Sequence, residues 1–444
     1  MSIFKAYDIR GIYQKELDEE IAYKVGKSYV QFTRAKKIVV GHDARLSSPS
    51  LCKALIRGLA DQGADIIFAG MCTTPMLHFL SEKFDGGIIV TASHNPKEYN
   101  GFKMYGKKGL PINYDTGIKD IQGIFTKGYF KSVKKGSVTE KDLRSTYYDF
   151  VVKKAKADYA GLTIAVDVSN GAAGEAVKEI CSRLGIRFLL INEKPDGNFP
   201  NHDPNPLKKE SRVQLSKVVK EKGANLGVII DPDEDRAIFL DEQGNDVSID
   251  SVKILIGEKY LTEVPHAVFV FDIFTSKAVK EILEEKGGKV IFERVGYTFI
   301  FHTMLHNSAV FGAEASGHAF FKELDYCDSA IYAALKVLQM LKEKKKPISA
   351  LAKEYEKYKI TEICNYETED KDSVLRRIEE EFSAGKITHL DGVSIDMGDV
   401  WFTMRPSNTD PVMRLRIEGK TEKRVHEIKS KVEKIILRQK SKNI

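Results

Sequence analysis

The sequence predicts an α/β protein with largely parallel sheets, and two observations support this prediction. Amphipathic helical segments are repeatedly followed by short buried strands, an alternation that is typical of α/β domains. Several of these strands end in turns rich in Asp, Ser, Asn and Gly, and open α/β sheets bind ligands at the carboxyl ends of their strands. We therefore expect the functional groups to lie in those turns.

Four helix-then-strand units underlie the fold prediction. In the first, residues 51–62 place leucines on one helical face, Gly63 ends the helix, and residues 64–70 (ADIIFAG) form a strand. The same arrangement recurs in three further segments: residues 175–192, 213–231 and 276–294.

The 444 residues would make roughly three domains at about 150 residues each, but the pattern along the chain favours four. The basic stretch 127–141 predicts a linker or surface turn before a helix at 142–157. Pro347 ends a long helix, after which strand-like segments surround two amphipathic helices, near 371–382 and 421–439. The predicted domains are residues 1–150, 151–247, 248–358 and 359–444.

The composition excludes several functional classes. The chain has 69 Lys and Arg against 63 Asp and Glu, a net charge of +6 that does not indicate a nucleic-acid binder. Its apolar runs are far shorter than the roughly 20 residues that cross a bilayer, and MSIFKAYDIRG contains no apolar signal core. The five cysteines are scattered without a CxxC pair, which favours buried free thiols. We therefore expect a cytoplasmic protein without membrane or nucleic-acid partners, either a monomer or a small homo-oligomer.

Three carboxylates follow a buried strand in GVIIDPDEDR: Asp231, Asp233 and Asp235. Carboxylates this close repel one another unless a hard cation neutralises them, and ligation by oxygen alone suits Mg²⁺ or Ca²⁺. An acidic surface turn is the alternative. An EF-hand loop is excluded because Arg236 occupies the position that needs glycine and the flanking segments read as strands.

A serine lies in the turn that follows strand GGIIV, in the segment TASHNP at residues 91–96. We expect Ser93 to be exposed on this tight turn, with His94 beside it to move a proton or donate to a phosphate. The sequence offers no evident acidic partner, so a hydrolase triad is weakly supported. On spacing alone, a structural turn and a nucleophile remain equal alternatives.

Two further turns have side chains suited to a phosphorylated sugar. The segment RPSNTDP at residues 405–411 combines a guanidinium, two hydroxyls and an amide, which suits a phosphate dianion, with an ordinary Asx-type turn as the alternative. In GAEASGH at residues 312–318, Glu314 and Ser316 alternate across a loop bounded by glycines and could contact sugar hydroxyls.

Together these segments resemble the α-D-phosphohexomutase family, in its bacterial phosphomannomutase/phosphoglucomutase branch. The matching segments follow in order along the chain: FKAYDIRG (4–11), GHDARLSS (41–48), TASHNP (91–96), NGFKMY (100–105), DPDEDR (231–236), GAEASGH (312–318) and RPSNTDP (405–411). The resemblance implies three related α/β domains with mixed, mostly parallel sheets and a smaller α+β C-terminal domain, all around a central cleft.

The resemblance also implies a role for each matched residue. Ser93 would carry the phosphoryl group, and its phosphate would bind Mg²⁺ together with Asp231, Asp233 and Asp235. His94 and Lys103 would take part in proton transfer or charge stabilisation, Arg10 and Tyr7 would contact the incoming phosphate, and Arg236 would contact the phosphoserine. Glu314 and Ser316 would bind the sugar 3- and 4-hydroxyls. The distant phosphate would be bound by Arg405, Ser407, Asn408 and Thr409.

The implied reaction interconverts hexose 1-phosphate and hexose 6-phosphate, of mannose, glucose or both, through a phosphoserine and a hexose 1,6-bisphosphate that also serves as activator. Phe274 and Tyr297 replace a lysine and a histidine that are common in the family, so the sugar preference is open; Arg294 is a candidate to supply the missing charge. Phosphoglucosamine mutase is the nearest alternative, although FKAYDIRG and TASHNP disfavour it. A Mg²⁺-dependent sugar phosphatase and a non-catalytic sugar-phosphate binding protein are alternatives from other classes.

Overall fold

The computed structural model describes residues 3–131, 133–368, 370–407 and 412–440, and it contains four β-sheets that follow one another along the chain. Each sheet packs against helices from its own segment, so the predicted α/β architecture is confirmed. No helix in this described part of the chain is both long enough and apolar enough to cross a membrane.

The first sheet is mixed and has six strands in the order β1-β5-β4-β2-β3-β6. Its strands are β1 (Ile9–Ile12), β2 (Lys37–His42), β3 (Asp65–Met71), β4 (Gly86–Val90), β5 (Tyr99–Tyr105) and β6 (Val138–Glu140). The helices of this segment are α1 (Glu19–Thr33), α2 (Ser48–Asp61), α3 (Thr74–Ser81), α4 (Lys119–Lys127) and α5 (Arg144–Lys154). The predicted helix at 51–62 and strand at 64–70 are thereby confirmed as α2 and β3.

The stretch 127–141 is not only a linker, which corrects the prediction. Its last residues form β6, which pairs in parallel with the free edge of β3. The pairing is anchored at its start, because the backbone N–H of Ser137 donates to the Asp65 carboxylate at 2.8 Å and the Ser137 hydroxyl donates to the same oxygen at 2.7 Å.

The second sheet has five strands in the order β11-β10-β9-β7-β8. They are β7 (Thr163–Asp167), β8 (Arg187–Ile191), β9 (Leu226–Ile230), β10 (Ala237–Leu240) and β11 (Asp246–Val247), with helices α6 (Gly174–Arg183) and α7 (Val213–Lys222). Strands β7, β8 and β9 are parallel, whereas β9 and β10 form an antiparallel hairpin. The turn of that hairpin is the acidic segment 231–236, called the aspartate loop below.

The third sheet has five strands in the order β13-β12-β14-β15-β16. They are β12 (Val268–Asp272), β13 (Lys289–Glu293), β14 (Phe311–Ala313), β15 (Ala319–Phe321) and β16 (Cys327–Asp328). The helices are α8 (Ile249–Glu263), α9 (Lys277–Glu285), α10 (Tyr297–Asn307), α11 (Ala330–Lys344) and α12 (Ile348–Glu354). The short helix α12 begins directly after Pro347, where the sequence predicted only the end of a helix.

The fourth sheet is antiparallel in every pairing that the structure describes. Its strands are β17 (Lys359–Ile360), β18 (Cys364–Glu367), β19 (Lys386–Thr388), β20 (Val393–Asp396), β21 (Val400–Pro406) and β22 (Val412–Gly419). The two predicted helices are confirmed as α13 (Lys371–Glu381) and α14 (Glu422–Lys440).

The buried apolar side chains form one core shared by the first three segments and a separate core in the fourth segment. One continuous cluster of buried side chains runs through the first three segments, from Val39 to Tyr355, whereas the fourth segment has a separate core between Val374 and Ile436. All five cysteines are free, and all except the half-buried Cys364 are buried, as the sequence predicted. The boundaries of the four domains stay a prediction.

Candidate active site

Ser93 lies in the turn after β4, but its side chain is buried rather than exposed as the sequence suggested. The residue is only 1% exposed because the aspartate loop of the second segment covers it. Its φ of 49° lies in the left-handed region, which is uncommon for a residue other than glycine. The turn is held from within, since the Ser93 backbone N–H donates to the Thr91 hydroxyl at 3.0 Å.

Arg45, which follows β2, anchors the same turn from behind. Its guanidinium donates to the backbone oxygens of Ser93 and Asn95 at 2.6 Å each, and to those of Pro96 and Tyr99 at 2.7 and 3.2 Å. The side chain is fully buried, and its Nε lies 3.2 Å from Asp43. Sequence reasoning singled out GHDARLSS as a strand-end turn but missed this supporting role, because the contacts join residues about fifty positions apart.

The Ser93 hydroxyl has an acidic partner that the local sequence does not reveal. It donates to the Asp231 carboxylate at 2.7 Å, and Asp235 lies 3.4 Å away. His94 Nδ1 lies 3.2 Å from the same hydroxyl oxygen, and the Arg236 guanidinium lies 3.4 Å from His94 Nε2. The acid therefore contacts the serine and not the histidine, so the arrangement is not a Ser-His-Asp triad.

The three aspartates of the loop are buried together. Asp231, Asp233 and Asp235 are at most 1% exposed, and each offers a carboxylate oxygen within 4.8 Å of the others. Burial and the two neighbouring carboxylates raise the pKa of Asp231 well above its usual value. Asp233 Oδ1 is buried and has no hydrogen-bond partner in the described part of the chain. An oxygen-only set with an unpartnered buried carboxylate oxygen fits a hard divalent cation.

Lys103 supplies positive charge to two of these aspartates from β5. Its ammonium lies 2.8 Å from Asp233 and forms a close ion pair with Asp235. Burial alone would lower the pKa of Lys103, but the two carboxylates outweigh it and raise that pKa above its usual value. For Asp235, burial alone would raise the pKa of the carboxyl, but Lys103, His318 and Arg236 together outweigh it and hold that pKa well below its usual value. Lys103 is therefore a fixed cation in this site.

Arg236 connects the aspartate loop to the turn at residues 314–318. Its Nε donates to His318 Nε2 at 3.0 Å, and His318 Nδ1 lies 2.7 Å from Asp328. Burial, with the positive charges of Arg236 and Arg10, lowers the pKa of His94 well below its usual value. His318 is a site residue that sequence reasoning did not assign, although it closes the GAEASGH turn.

Arg10 and Tyr7, near the N-terminus, lie at the same site. Arg10 forms an ion pair with Asp8 and donates to the Asn95 side chain, which belongs to the serine turn. The backbone oxygen of Tyr7 accepts a hydrogen bond from the Tyr297 hydroxyl at 3.1 Å, and the two rings meet edge to face. Segments far apart in sequence are thereby joined beside Ser93.

Glu314 lies at the inner end of its turn and is 2% exposed. It accepts a hydrogen bond from the Gly296 backbone N–H at 2.6 Å, and the Ser316 hydroxyl lies 3.4 Å from its other oxygen. Burial raises the pKa of Glu314 above its usual value. A carboxylate and a hydroxyl therefore lie side by side at this turn.

The fourth segment contributes Arg405, at the end of β21. Its Nε donates to the Asp391 carboxylate at 2.9 Å, and the same Asp391 oxygen accepts from the Val295 backbone N–H at 3.0 Å. The Ser407 backbone oxygen accepts from Lys371 at 3.0 Å. Asn408 and Thr409, which the sequence also assigns to this phosphate site, lie outside the described residues.

Tyr297 and Phe274, where the sequence departs from the family that it resembles, have different surroundings. Tyr297 is buried, stacks on His318 and lies with its ring 5.8 Å from the Lys103 ammonium. Phe274 is buried, and its backbone oxygen accepts a hydrogen bond from Arg416. Arg294 is 46% exposed and packs on Phe299, so its charge lies at the surface.

Family models cover most of the chain in order. They are described as phosphoglucomutase/phosphomannomutase alpha/beta/alpha domain I, which matches residues 1–132, domain II, which matches residues 145–244, domain III, which matches residues 249–358, and the C-terminal domain, which matches residues 341–435.

Individual proteins match over nearly the full length. A phosphomannomutase of Methanocaldococcus jannaschii is 40% identical, with 98% of each chain covered. A phosphoglucomutase of Neisseria gonorrhoeae is 34% identical, with 98% of this chain and 96% of that protein covered. The crystal structure of a phosphoglucomutase/phosphomannomutase family protein from Burkholderia thailandensis superimposes with a TM-score of 0.90 at 29% identity, over 98% of this chain and 96% of that one.

Proposed function

The chain belongs to the phosphoglucomutase/phosphomannomutase family, and on that premise we propose that it interconverts hexose 1-phosphate and hexose 6-phosphate of mannose, glucose or both. The enzyme is an isomerase-class phosphotransferase that acts through a phosphoserine and a hexose 1,6-bisphosphate. The observation that carries this proposal is the buried Ser93 hydroxyl, held at 2.7 Å from Asp231 among groups suited to a phosphate and a cation.

In the proposed reaction, phosphorylated Ser93 gives its phosphoryl group to a sugar hydroxyl. The bond between the sugar oxygen and phosphorus forms as the bond between Ser93 Oγ and phosphorus breaks. The proton lost by the sugar hydroxyl is matched by the proton that Ser93 gains, and His94, 3.2 Å from Ser93 Oγ, is placed to relay it. The same steps in reverse return the other phosphate to Ser93 after the bisphosphate has turned end for end.

Positive charge around the transferred group is the second requirement. Phosphoryl transfer depends mainly on positioning and on charge that stabilises an anionic transition state. Lys103, Arg236 and Arg10 are proposed to supply this charge, since all three contact the serine turn or the aspartate loop. Lys103 acts as a fixed cation because two carboxylates keep it charged.

The family is metal-dependent, and we propose that the ion here is Mg²⁺. Asp231, Asp233 and Asp235, together with an oxygen of the Ser93 phosphate, would hold it. The bound ion would neutralise charge on the phosphoryl group. Hexose 1,6-bisphosphate is proposed as both intermediate and activator, since it restores the phosphoserine when the enzyme has lost it.

Recognition of the sugar must work in both orientations of the intermediate. Glu314 and Ser316 are proposed to bind the 3- and 4-hydroxyls, which keep their relationship when the sugar turns over. Arg405 and Ser407, with Asn408 and Thr409, are proposed to bind whichever phosphate is not reacting, and Tyr7 to line the site near the incoming phosphate. We propose further that the enzyme works in the cytoplasm as a monomer or small homo-oligomer, with hexose phosphates and no nucleic acid or membrane as partners.

Parallel assays test the proposal. Mannose 1-phosphate, glucose 1-phosphate and glucosamine 1-phosphate are each offered to the enzyme with Mg²⁺ and the matching bisphosphate, and formation of the 6-phosphates is followed. We expect turnover of the mannose or glucose substrate to exceed that of glucosamine 1-phosphate. Release of inorganic phosphate without isomerisation would instead identify a phosphatase, and binding without turnover would identify a binding protein.

Intact-mass measurement tests the role of Ser93. We expect a fraction of the wild-type protein to be heavier by one phosphate, and Ser93→Ala to lack both this fraction and mutase turnover while glucose 1-phosphate still binds. Ser81→Ala is the matched control, because Ser81 is buried in α3 and bonds only to its own helix backbone among the contacts described for it. Full activity in Ser93→Ala would refute the proposal.

A further inference from the structure

Glu234 lies between Asp233 and Asp235 but contacts a different part of the molecule. The three aspartates make contact with Ser93, Thr74 and Lys103, whereas the Glu234 carboxylate accepts a hydrogen bond from the Ser329 hydroxyl at 2.8 Å. Glu234 is fully buried, and its φ of 71° lies in the left-handed region. This conformation costs a residue with a Cβ about 1–2 kcal/mol, so side-chain contacts have to compensate for it.

The contacts of Glu234 are concentrated at the first turn of α11. Ser329 is the N-cap of this helix, and its hydroxyl accepts from the Tyr332 backbone N–H while donating to Glu234. The Ile331 backbone N–H points to the same Glu234 oxygen at 3.3 Å, and the Ala330 N–H donates to the Glu234 backbone oxygen at 3.1 Å. Glu234 therefore satisfies two of the N–H groups that a helix leaves without intrahelical partners, those of Ala330 and Ile331.

A second connection joins the same two segments. Asp328, next to Ser329, bonds to His318, and His318 accepts from Arg236, which lies two residues after Glu234. The aspartate loop and the start of α11 are thus tied at two points on either side of Asp235. A shift of the loop relative to α11 would break both.

We propose that Glu234 is a positioning residue, which fixes the aspartate loop to the start of α11 and so keeps the three aspartates in register with Ser93. The inference rests on the proposed function for its kinetic consequences, but the registration of the loop itself is a matter of binding geometry. It assigns to the third segment a part in cation binding, although that segment contributes none of the three aspartates.

The decisive experiment compares Glu234→Ala with Glu234→Gln, using the binding of Mn²⁺ alone, measured by electron paramagnetic resonance, as a readout separate from turnover. Glutamine keeps a side-chain oxygen that can accept from Ser329 and Ile331, whereas alanine has none. We expect Glu234→Ala to weaken Mn²⁺ binding and lower kcat by about 10-fold or more, the range found when partners of metal ligands are removed, with KM for the hexose phosphate unchanged. Glu234→Gln should stay within about threefold of wild type, a change much smaller than that 10-fold loss.

Glu323→Ala is the matched control. Glu323 contacts α11 through Tyr332 and Lys336 but has no described contact with the aspartate loop, so its loss should lower stability without changing Mn²⁺ binding. If Glu234→Ala does not fold, Ser329→Ala takes its place: it removes the hydroxyl that donates to Glu234, together with the N-cap bond from the Tyr332 N–H, and should give a smaller loss of Mn²⁺ binding.

Two results would overturn the proposal. The first is wild-type Mn²⁺ binding in the folded Glu234→Ala protein, or in Ser329→Ala if Glu234→Ala does not fold. The second is an equal loss of Mn²⁺ binding in Glu234→Ala and Glu234→Gln. Absence of mutase turnover in the wild-type protein would refute the proposed function instead, and the Mn²⁺ measurement would still decide the role of Glu234.

Discussion

The Ser93 hydroxyl and the Asp231 carboxylate are 2.7 Å apart, although 138 residues separate them in the sequence. The bond joins the turn after β4 to the turn after β9, so neither turn can shift without changing the other. It orients the serine oxygen and leaves His94 beside it. Small displacements between the first two segments should therefore affect chemistry before they affect the fold.

Asp233→Asn should remove the response to Mg²⁺ and most of the activity. The change deletes a charge that pairs with Lys103 at 2.8 Å and that the proposed cation needs. Loss of a ligand should cost at least as much as loss of a ligand's hydrogen-bond partner, so we expect kcat to fall by at least about 100-fold. Activity is measured across a Mg²⁺ titration, with Asp158→Asn at the surface as control. An unchanged metal response would refute the cation site.

Arg45→Lys should lower kcat without a matching change in KM. The arginine donates to three backbone oxygens of the serine turn and to that of Tyr99 at the start of β5, and a lysine ammonium cannot reproduce that planar fork. We expect a loss of about 10-fold to 100-fold in kcat, as for other groups that orient reacting side chains. Arg57→Lys is the control, because Arg57 packs on Tyr23 away from the turn. Wild-type kcat in a folded Arg45→Lys protein would contradict the anchoring role.

Asp391→Ala should raise KM for hexose phosphates more than it lowers kcat. Asp391 holds the Arg405 guanidinium and the Val295 backbone N–H with one oxygen. Without Asp391, Arg405, which we propose binds the phosphate that is not reacting, loses its orientation. We expect KM to rise by about 10-fold, the equivalent of one charge-assisted hydrogen bond. Steady-state kinetics check this, with Asp399→Ala as control because Asp399 pairs with Arg424 at the surface of the same segment. A larger fall in kcat than rise in KM would assign Asp391 another role.

Stability should fall as the pH drops from about 6.5 towards 4, partly because of His78. Burial lowers the pKa of His78 from its usual value near 6.5 to about 4, and its ring is packed between Tyr105 and Phe301. In that window the unfolded chain binds a proton that the folded protein does not. The free energy of unfolding therefore falls as the pH falls, by at most about 3 kcal/mol from this residue.

Denaturant unfolding of His78→Phe at a series of pH values measures this contribution. We expect the variant to lose less stability than wild type between pH 7 and pH 5. His389→Gln serves as control because His389 is exposed. Parallel pH profiles of wild type and His78→Phe would show that His78 is not responsible.

The helices and strands that could be predicted from the sequence are those that a local pattern of apolar residues determines. The pairs α2–β3, α6–β8, α7–β9 and α9–β13 were recognised from helical periodicity and short apolar runs. Strand β6 was missed because all three of its residues are exposed and only the free edge of β3 selects them. Helix α12 was missed because seven residues are too few to show a clear helical periodicity of apolar side chains.

The candidate site was predicted in its turns but not in its connections. Strand ends marked the segments that contain Ser93 and Asp231, and the family resemblance assigned their roles. The burial of Ser93 and the support from Arg45 were not predicted, because both depend on residues about 50 to 140 positions away that only tertiary packing brings together.

The separate core of the fourth segment gives the molecule two kinds of internal boundary. The first three segments share one continuous apolar core. The fourth has its own core and meets the third through polar pairs such as Arg416 with Asp250 and Lys277 with Asp396, and through the edge-to-face contact of Tyr358 with Trp401. Water and salt can compete for the partly exposed pair of Lys277 with Asp396, which is worth about 1 kcal/mol or less, whereas the pair of Arg416 with Asp250 is largely buried. We therefore expect added salt to weaken the contact between the third and fourth segments more than the apolar contacts among the first three.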